Sequence, residues 1–123
     1  MSNSRGQVEC TIPILPVREL EQSKRYYLDV LGFELDWTGD VVCSVSKDGA
    51  SIMLSQIEPW KSAGWVWIGL EDDFLFETYR SRGVKVRQEP QNHAWAYEMK
   101  FEDLDGNVLW LGTETRADLP LDN

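Results

Sequence analysis

The two halves of this chain repeat one order of elements, and a repeat with a period of about fifty residues fixes architecture before anything else does. In the first half, Cys10 to Val17 reads as a strand, with Pro13 and Pro16 pushing it toward a sheet edge or end. Glu19 to Leu31 reads as a helix, because Leu20, Tyr27 and Leu31 recur at helical spacing beside Val30; Gly32 stops it. No Ser, Thr, Asp or Asn sits just ahead of Glu19, so the start of this helix has no recognisable cap. Strands over Phe33–Trp37, Val41–Val45 and Ala50–Ser55 follow, turned by Thr38-Gly39-Asp40 and Lys47-Asp48-Gly49.

After a loop from Gln56 to Gly64 the same order returns. Trp65–Leu70 reads as a strand. Asp72 or Asp73 caps a helix through Arg82, with Leu75 and Tyr79 inward, Arg80 and Arg82 in the last turn and Gly83 as its stop. Val84–Gln88, Tyr97–Glu102 and Val108–Gly112 are the closing strands, and Asp103-Leu104-Asp105-Gly106 is the final turn. The tail from Thr113 has little to bury. The expected fold is α+β: two tandem βαβββ modules, about 10–55 and 65–113, joined by a linker over 56–64 within one domain spanning 1–123. Each module leaves an open curved sheet, and two such sheets can form a half-open barrel around a cavity.

Charge narrows the partners. Asp and Glu number 21 against 12 for Lys and Arg, so nucleic acid and anionic membrane surfaces are disfavoured. No apolar run approaches the ~18 residues of a membrane span, and the polar start from Met1 to Gln7 does not read as a signal peptide. Cys10 and Cys43 have neither metal nor redox spacing, and Cys43 reads as a buried free thiol. These features favour the cytoplasm. Six tryptophans, Trp37, Trp60, Trp65, Trp67, Trp95 and Trp110, exceed what a core of this size needs. Aromatic faces in a negative field suit a flat, positively charged ligand.

With the paired modules, Leu31-Gly32-Phe33 and Asp103-Leu104-Asp105-Gly106-Asn107, the chain from Thr11 to Thr113 resembles the vicinal oxygen chelate superfamily. That superfamily contains glyoxalase I, extradiol dioxygenases, and fosfomycin- and bleomycin-resistance proteins. Its enzymes hold a divalent metal on inward strand positions, which the motifs match to Ile12, Met53, Trp65 and Trp110 here. None of these is a ligand for such an ion, so no metal, no cofactor and no catalytic residue are expected. The lone histidine, His93, falls in a loop and reads as a surface residue. Tryptophan at two of the four positions is similar to the bleomycin-resistance branch. So are Ala63-Gly64-Trp65-Val66-Trp67, a loop Trp95 ahead of Asp103, and the Asp36-Trp37 pair; Ser55 and Glu98 also match.

The candidate ligand-binding residues are therefore Asp36, Trp37, Met53, Ser55, Trp65, Trp95, Glu98 and Trp110. Trp65 and Trp67 share a strand face, either as a stacking wall or as core packing. Trp95 follows a polar stretch and reads as a lid or groove wall. Trp60, after Pro59, fits an interface or simple loop packing, and Trp110 either points into the groove or fills space. Asp36 and Glu98 would counter a cationic part of the ligand; Met53 is a compliant lining. No nucleophile–base arrangement is visible. The resemblance implies a homodimer, with grooves between subunits and the N-terminal strand exchanged, that sequesters a bleomycin-like cationic aromatic drug. The competing readings are a metal-dependent glyoxalase-like lyase or dioxygenase, and a binding module for another aromatic metabolite.

Overall fold

The computed structural model describes residues 6–122, so Met1 to Arg5 of the polar start lie outside the described residues. The elements are β1 (Ile14–Val17), α1 (Leu20–Asp29), β2 (Glu34–Thr38), β3 (Val42–Lys47), β4 (Ala50–Gln56), β5 (Trp65–Gly69), α2 (Phe74–Ser81), β6 (Lys85–Asn92), β7 (Tyr97–Glu102) and β8 (Val108–Thr113). They form two four-stranded sheets with the orders β1-β4-β3-β2 and β5-β8-β7-β6. In each, the first strand runs parallel to the fourth and the rest pair antiparallel. The duplicated βαβββ order is therefore the fold, and the sheets remain open. Among the described residues no helix is long and apolar enough to cross a membrane.

Alternation explains the single core. Leu15, Val17, Cys43, Val45, Ile52 and Leu54 of the first sheet point to the same buried cluster as Val66, Met99, Phe101, Leu109 and Leu111 of the second. Tyr27 from α1 and Phe76 and Tyr79 from α2 fill the space between. Phe76 takes the buried place expected of Leu75, which is only half-buried. Cys43 is free and buried, and burial pushes its thiol up. Both helices end on glycines with left-handed backbone, Gly32 at φ 80° and Gly83 at φ 77°, where a side chain would be strained.

Two local expectations change, and the C-terminal tail, with little buried as expected, gains a tie. Glu19 itself caps α1, its Oε1 accepting from the Gln22 N–H at 3.1 Å, while Gln56 Oε1 accepts from the Leu20 N–H at 2.8 Å. β1 is shorter than expected, since Gly6 to Ile12 run exposed and outside any strand. The C-terminal tail is held by polar bonds rather than apolar burial. Asn92, 2% exposed, donates from Nδ2 to the Arg116, Leu119 and Pro120 carbonyls, and its Oδ1 accepts from the Arg116 N–H.

The last turn clasps the two modules. Asp103 Oδ1 accepts from the N–H groups of Asp105 and Asn107. Its Oδ2 accepts from the Tyr27 hydroxyl at 2.7 Å and from Asn107 Nδ2 at 3.0 Å. Asp105 accepts from the Arg18 N–H and from Ser23 Oγ, at 2.8 and 2.6 Å. Asn107 Nδ2 donates to the Pro16 carbonyl. Burial raises the Asp103 carboxyl above its ordinary range even against these donors. Burial, with the Asp103 charge beside it, holds the Tyr27 hydroxyl well above the usual phenol range.

Candidate ligand-binding site

Because the inner faces of both sheets share one core, their outer faces turn away from it. On the second sheet, β5 and β8 pair Trp67 with Trp110 and Gly69 with Gly112, and β7 places Lys100 opposite Trp110 and Glu98 opposite Gly112. Trp65, Trp67 and Trp110 thus stand on one face. The turn from β6 to β7 brings Trp95 over them. Trp67 lies 5.3 Å from Trp110 and 6.4 Å from Trp95, centroid to centroid; Trp95–Trp110 is 5.7 Å and Trp65–Trp110 is 6.1 Å. The rings cross at 51° to 89°. Edge-to-face contacts of this kind are favourable and leave broad ring faces open. Trp65, Trp67 and Trp95 are 53%, 47% and 59% exposed, far more than core residues.

The sequence explains why this wall holds its shape. A side chain on Gly112 would put its Cβ 2.1 Å from Trp67 Cη2, and one on Gly69 would sit 3.3 Å from Trp67 Nε1. Two paired glycines at the ends of β5 and β8 form a bare shelf on which the Trp67 indole lies. Trp110 is fixed from the neighbouring strand: its Nε1–H donates to Glu98 Oε1. Glu98 is 1% exposed and also accepts from Gln88 Nε2 and from Lys100 Nζ, the latter at 3.1 Å. Lys100 Nζ lies 4.8 Å from the Trp110 ring centroid and donates to Gln88 Oε1 at 2.7 Å. Arg87 stands over Trp65 at 5.2 Å.

Glu98 is therefore the internal anchor of the wall, its charge met by Lys100, rather than a free anion facing a ligand. His93 is part of the same structure and not a bare surface residue. Its ring stacks on Trp95 at 5.0 Å and 1°, and its Nε2 faces Gln91 Oε1 at 3.0 Å and Glu98 Oε2 at 3.3 Å. A proton on Nε2 would serve both of these oxygens.

The eight candidate residues divide between the two sheets. Trp65, Trp95, Glu98 and Trp110 come together on the second. Asp36, Trp37, Met53 and Ser55 lie on the first, where register sets Met53 opposite Ile14 and Ser44, and Ser55 opposite Pro16 and Val42. A bulge between Leu35 and Trp37 re-aims Asp36, which accepts from Ser44 Oγ at 3.0 Å and Ser46 Oγ at 2.7 Å. Trp37 is 47% exposed. Trp60 lies apart, with the Arg18 guanidinium 4.0 Å above its ring. The candidate list lacks Trp67, Lys100, Gln88 and His93. The shared strand face of Trp65 and Trp67 was the one signal available for the first; the others depend on pairing between β6 and β7.

The positions matched to metal ligands do not fit a divalent ion. Ile12, Met53, Trp65 and Trp110 supply no oxygen or imidazole, and both oxygens of Glu98 are engaged. Among the described residues no three His, Cys, Asp or Glu side chains converge.

No protein of curated function matches the sequence. Solved structures share the fold. A bleomycin-binding protein from bleomycin-producing Streptomyces verticillus, solved with copper(II)-bleomycin, aligns with TM-score 0.76 at 19% identity, covering 91% of this chain and 100% of that one. A bleomycin resistance determinant encoded on the transposon Tn5 gives 0.78 at 17% identity, covering 87% and 98%. A glyoxalase/bleomycin resistance protein/dioxygenase from Nocardioides gives 0.72 at 19%, covering 97% and 91%. The family model matches residues 7–111, and with it this chain belongs to the glyoxalase/bleomycin resistance protein/dioxygenase superfamily.

Proposed function

We propose that this protein binds a flat, cationic aromatic molecule of the bleomycin type and sequesters it without chemical change. The observation that carries the reading is the wall of four tryptophans, three of them about half exposed, on one outer sheet face. Each indole stacking contact is worth on the order of 1 kcal/mol beyond the area it buries. The likeness in fold to the bleomycin-binding protein of Streptomyces verticillus supports the ligand class.

The crossed rings offer open faces but no parallel slot within one chain, so the second wall of a sandwich must come from elsewhere. A homodimer supplies it, setting the first sheet of one copy against the tryptophan wall of the other. Asp36 and Trp37 would then face the guest from the partner side, and Asp36, held among the described residues by two serine hydroxyls, is the carboxylate for its cation. The protein would act in the cytoplasm, and as a binder rather than an enzyme.

Titrating tryptophan fluorescence with copper(II)-bleomycin tests this. Saturable quenching at one ligand per groove, weakened by salt, is expected. Trp95→Ala should reduce affinity by about 2 kcal/mol or more. Equal binding of uncharged aromatics would favour a module for another metabolite. Stoichiometric, tightly held metal with turnover of a small substrate would favour a lyase or dioxygenase and overturn the reading.

A further inference from the structure

The tryptophan wall does not end at the sheet. Trp67 and Gly69 also border a separate cleft of about 970 Å³, at the upper end of the roughly 300–1,000 Å³ of pockets that hold drug-sized molecules. One side of the cleft is β5 and the start of α2. The other is the lead-in to β1 and the turn between β3 and β4. Its floor is apolar, with Phe33, Ile52 and Leu75. Its rim carries Asp48, Glu71 and Asp72 against a single cation, Lys47. Asp72 Oδ1 accepts from the Phe74 N–H, whereas Asp48 and Glu71 have no ion-pair partner among the described residues.

An apolar floor under an acidic rim complements an alkyl chain ending in an ammonium group. The methylenes leave water on the floor, and the charge stays at the mouth beside carboxylates without an ion-pair partner among the described residues. The wall, by contrast, has its own carboxylate already matched by Lys100. We propose that this cleft is a second subsite, which takes the alkylammonium tail of a guest whose flat ring rests on Trp67. The proposal rests on the reading of the wall given above and adds the shape of the molecule: a ring and a tethered cation, read by adjacent sites that share Trp67.

The test compares 9-aminoacridine with the same ring carrying a 4-(diethylamino)butyl chain on its amine. Binding is followed by tryptophan quenching at physiological salt, where the Debye length of about 8 Å screens distant charges. The tailed dye should bind about tenfold tighter than the bare ring. The double variant Asp48→Asn/Glu71→Gln should erase that preference and leave the bare ring within about twofold. Trp67→Ala should weaken both dyes. Equal affinities in the unmodified protein, a preference that survives the double variant, or a tailed dye indifferent to Trp67→Ala would each overturn the subsite while leaving the wall reading standing. If neither dye binds, the wall reading fails and takes the subsite with it.

Discussion

The two modules share an order of strands and a common core, yet their outer faces differ in chemistry. The first shows Ser44, Ser46, Met53 and Ser55 with a hydroxyl-held Asp36 and a single tryptophan, Trp37; the second shows Trp65, Trp67 and Trp110 roofed by Trp95. Their closing turns differ as much. Asp103 to Asn107 is buried in bonds that cross between modules, while Lys47-Asp48-Gly49 stands at the mouth of a cleft. Inner faces and helix stops set the architecture in both halves, so the outer positions are where a duplicated fold is free to acquire a site.

The comparison between the turns breaks most visibly at Asp103. Asp103→Ala strands the Tyr27 hydroxyl and the Asn107 amide in the interior, and should destabilise the protein by about 3–4 kcal/mol in urea unfolding. Asp48→Asn, at the corresponding turn, should cost no more than about 0.5 kcal/mol, since asparagine tolerates the positive φ there. Similar losses at both sites would mean the two turns are equivalent after all.

The outer faces come next. Glu98→Gln leaves the partly buried Lys100 without its counter-charge and should cost about 2 kcal/mol of stability. It should also shift the indole N–H resonance of Trp110. For the wall itself, Trp67→Ala should weaken ligand binding by about 2 kcal/mol, and Met53→Ala on the first sheet by less than about 1 kcal/mol. The reverse order in a titration would move the site to the first sheet.

A smaller effect sharpens the description of the shared core. Burial raises the Tyr79 hydroxyl, which donates to the Leu31 carbonyl at 2.6 Å. An unfolded tyrosine releases its proton near pH 10 while the buried one keeps it, so the folded state binds more protons there and stability falls as pH rises past that point. Tyr79→Phe should flatten this fall by up to about 1.4 kcal/mol per pH unit, measured by unfolding at pH 9 to 11.

Much of the fold was legible because alternation and glycine stops are local signals. Gly32 and Gly83 marked both helix ends, and the strand pattern carried the pairing of the modules. The length of β6 was not legible. Arg87 to Asn92 has no apolar alternation, and its pairing with β7 shifts register twice, between Val86 and Gln88 and again before Gln91. The same non-local pairing hid much of the site. It decides that His93 stacks on Trp95, that Gln88 reaches Glu98, and that Glu98 spends its charge on Lys100. The docked tail was invisible for a related reason: Asn92 binds it through main-chain carbonyls, which every sequence possesses.

The crossing of the four indoles has an optical consequence. Chromophores only 5.3 to 6.4 Å apart and steeply inclined couple their electronic transitions, which gives paired bands of opposite sign in circular dichroism. The protein thus carries a built-in gauge of ring orientation. Any molecule that tilts Trp67 off its glycine bed announces itself in that signal, without a label.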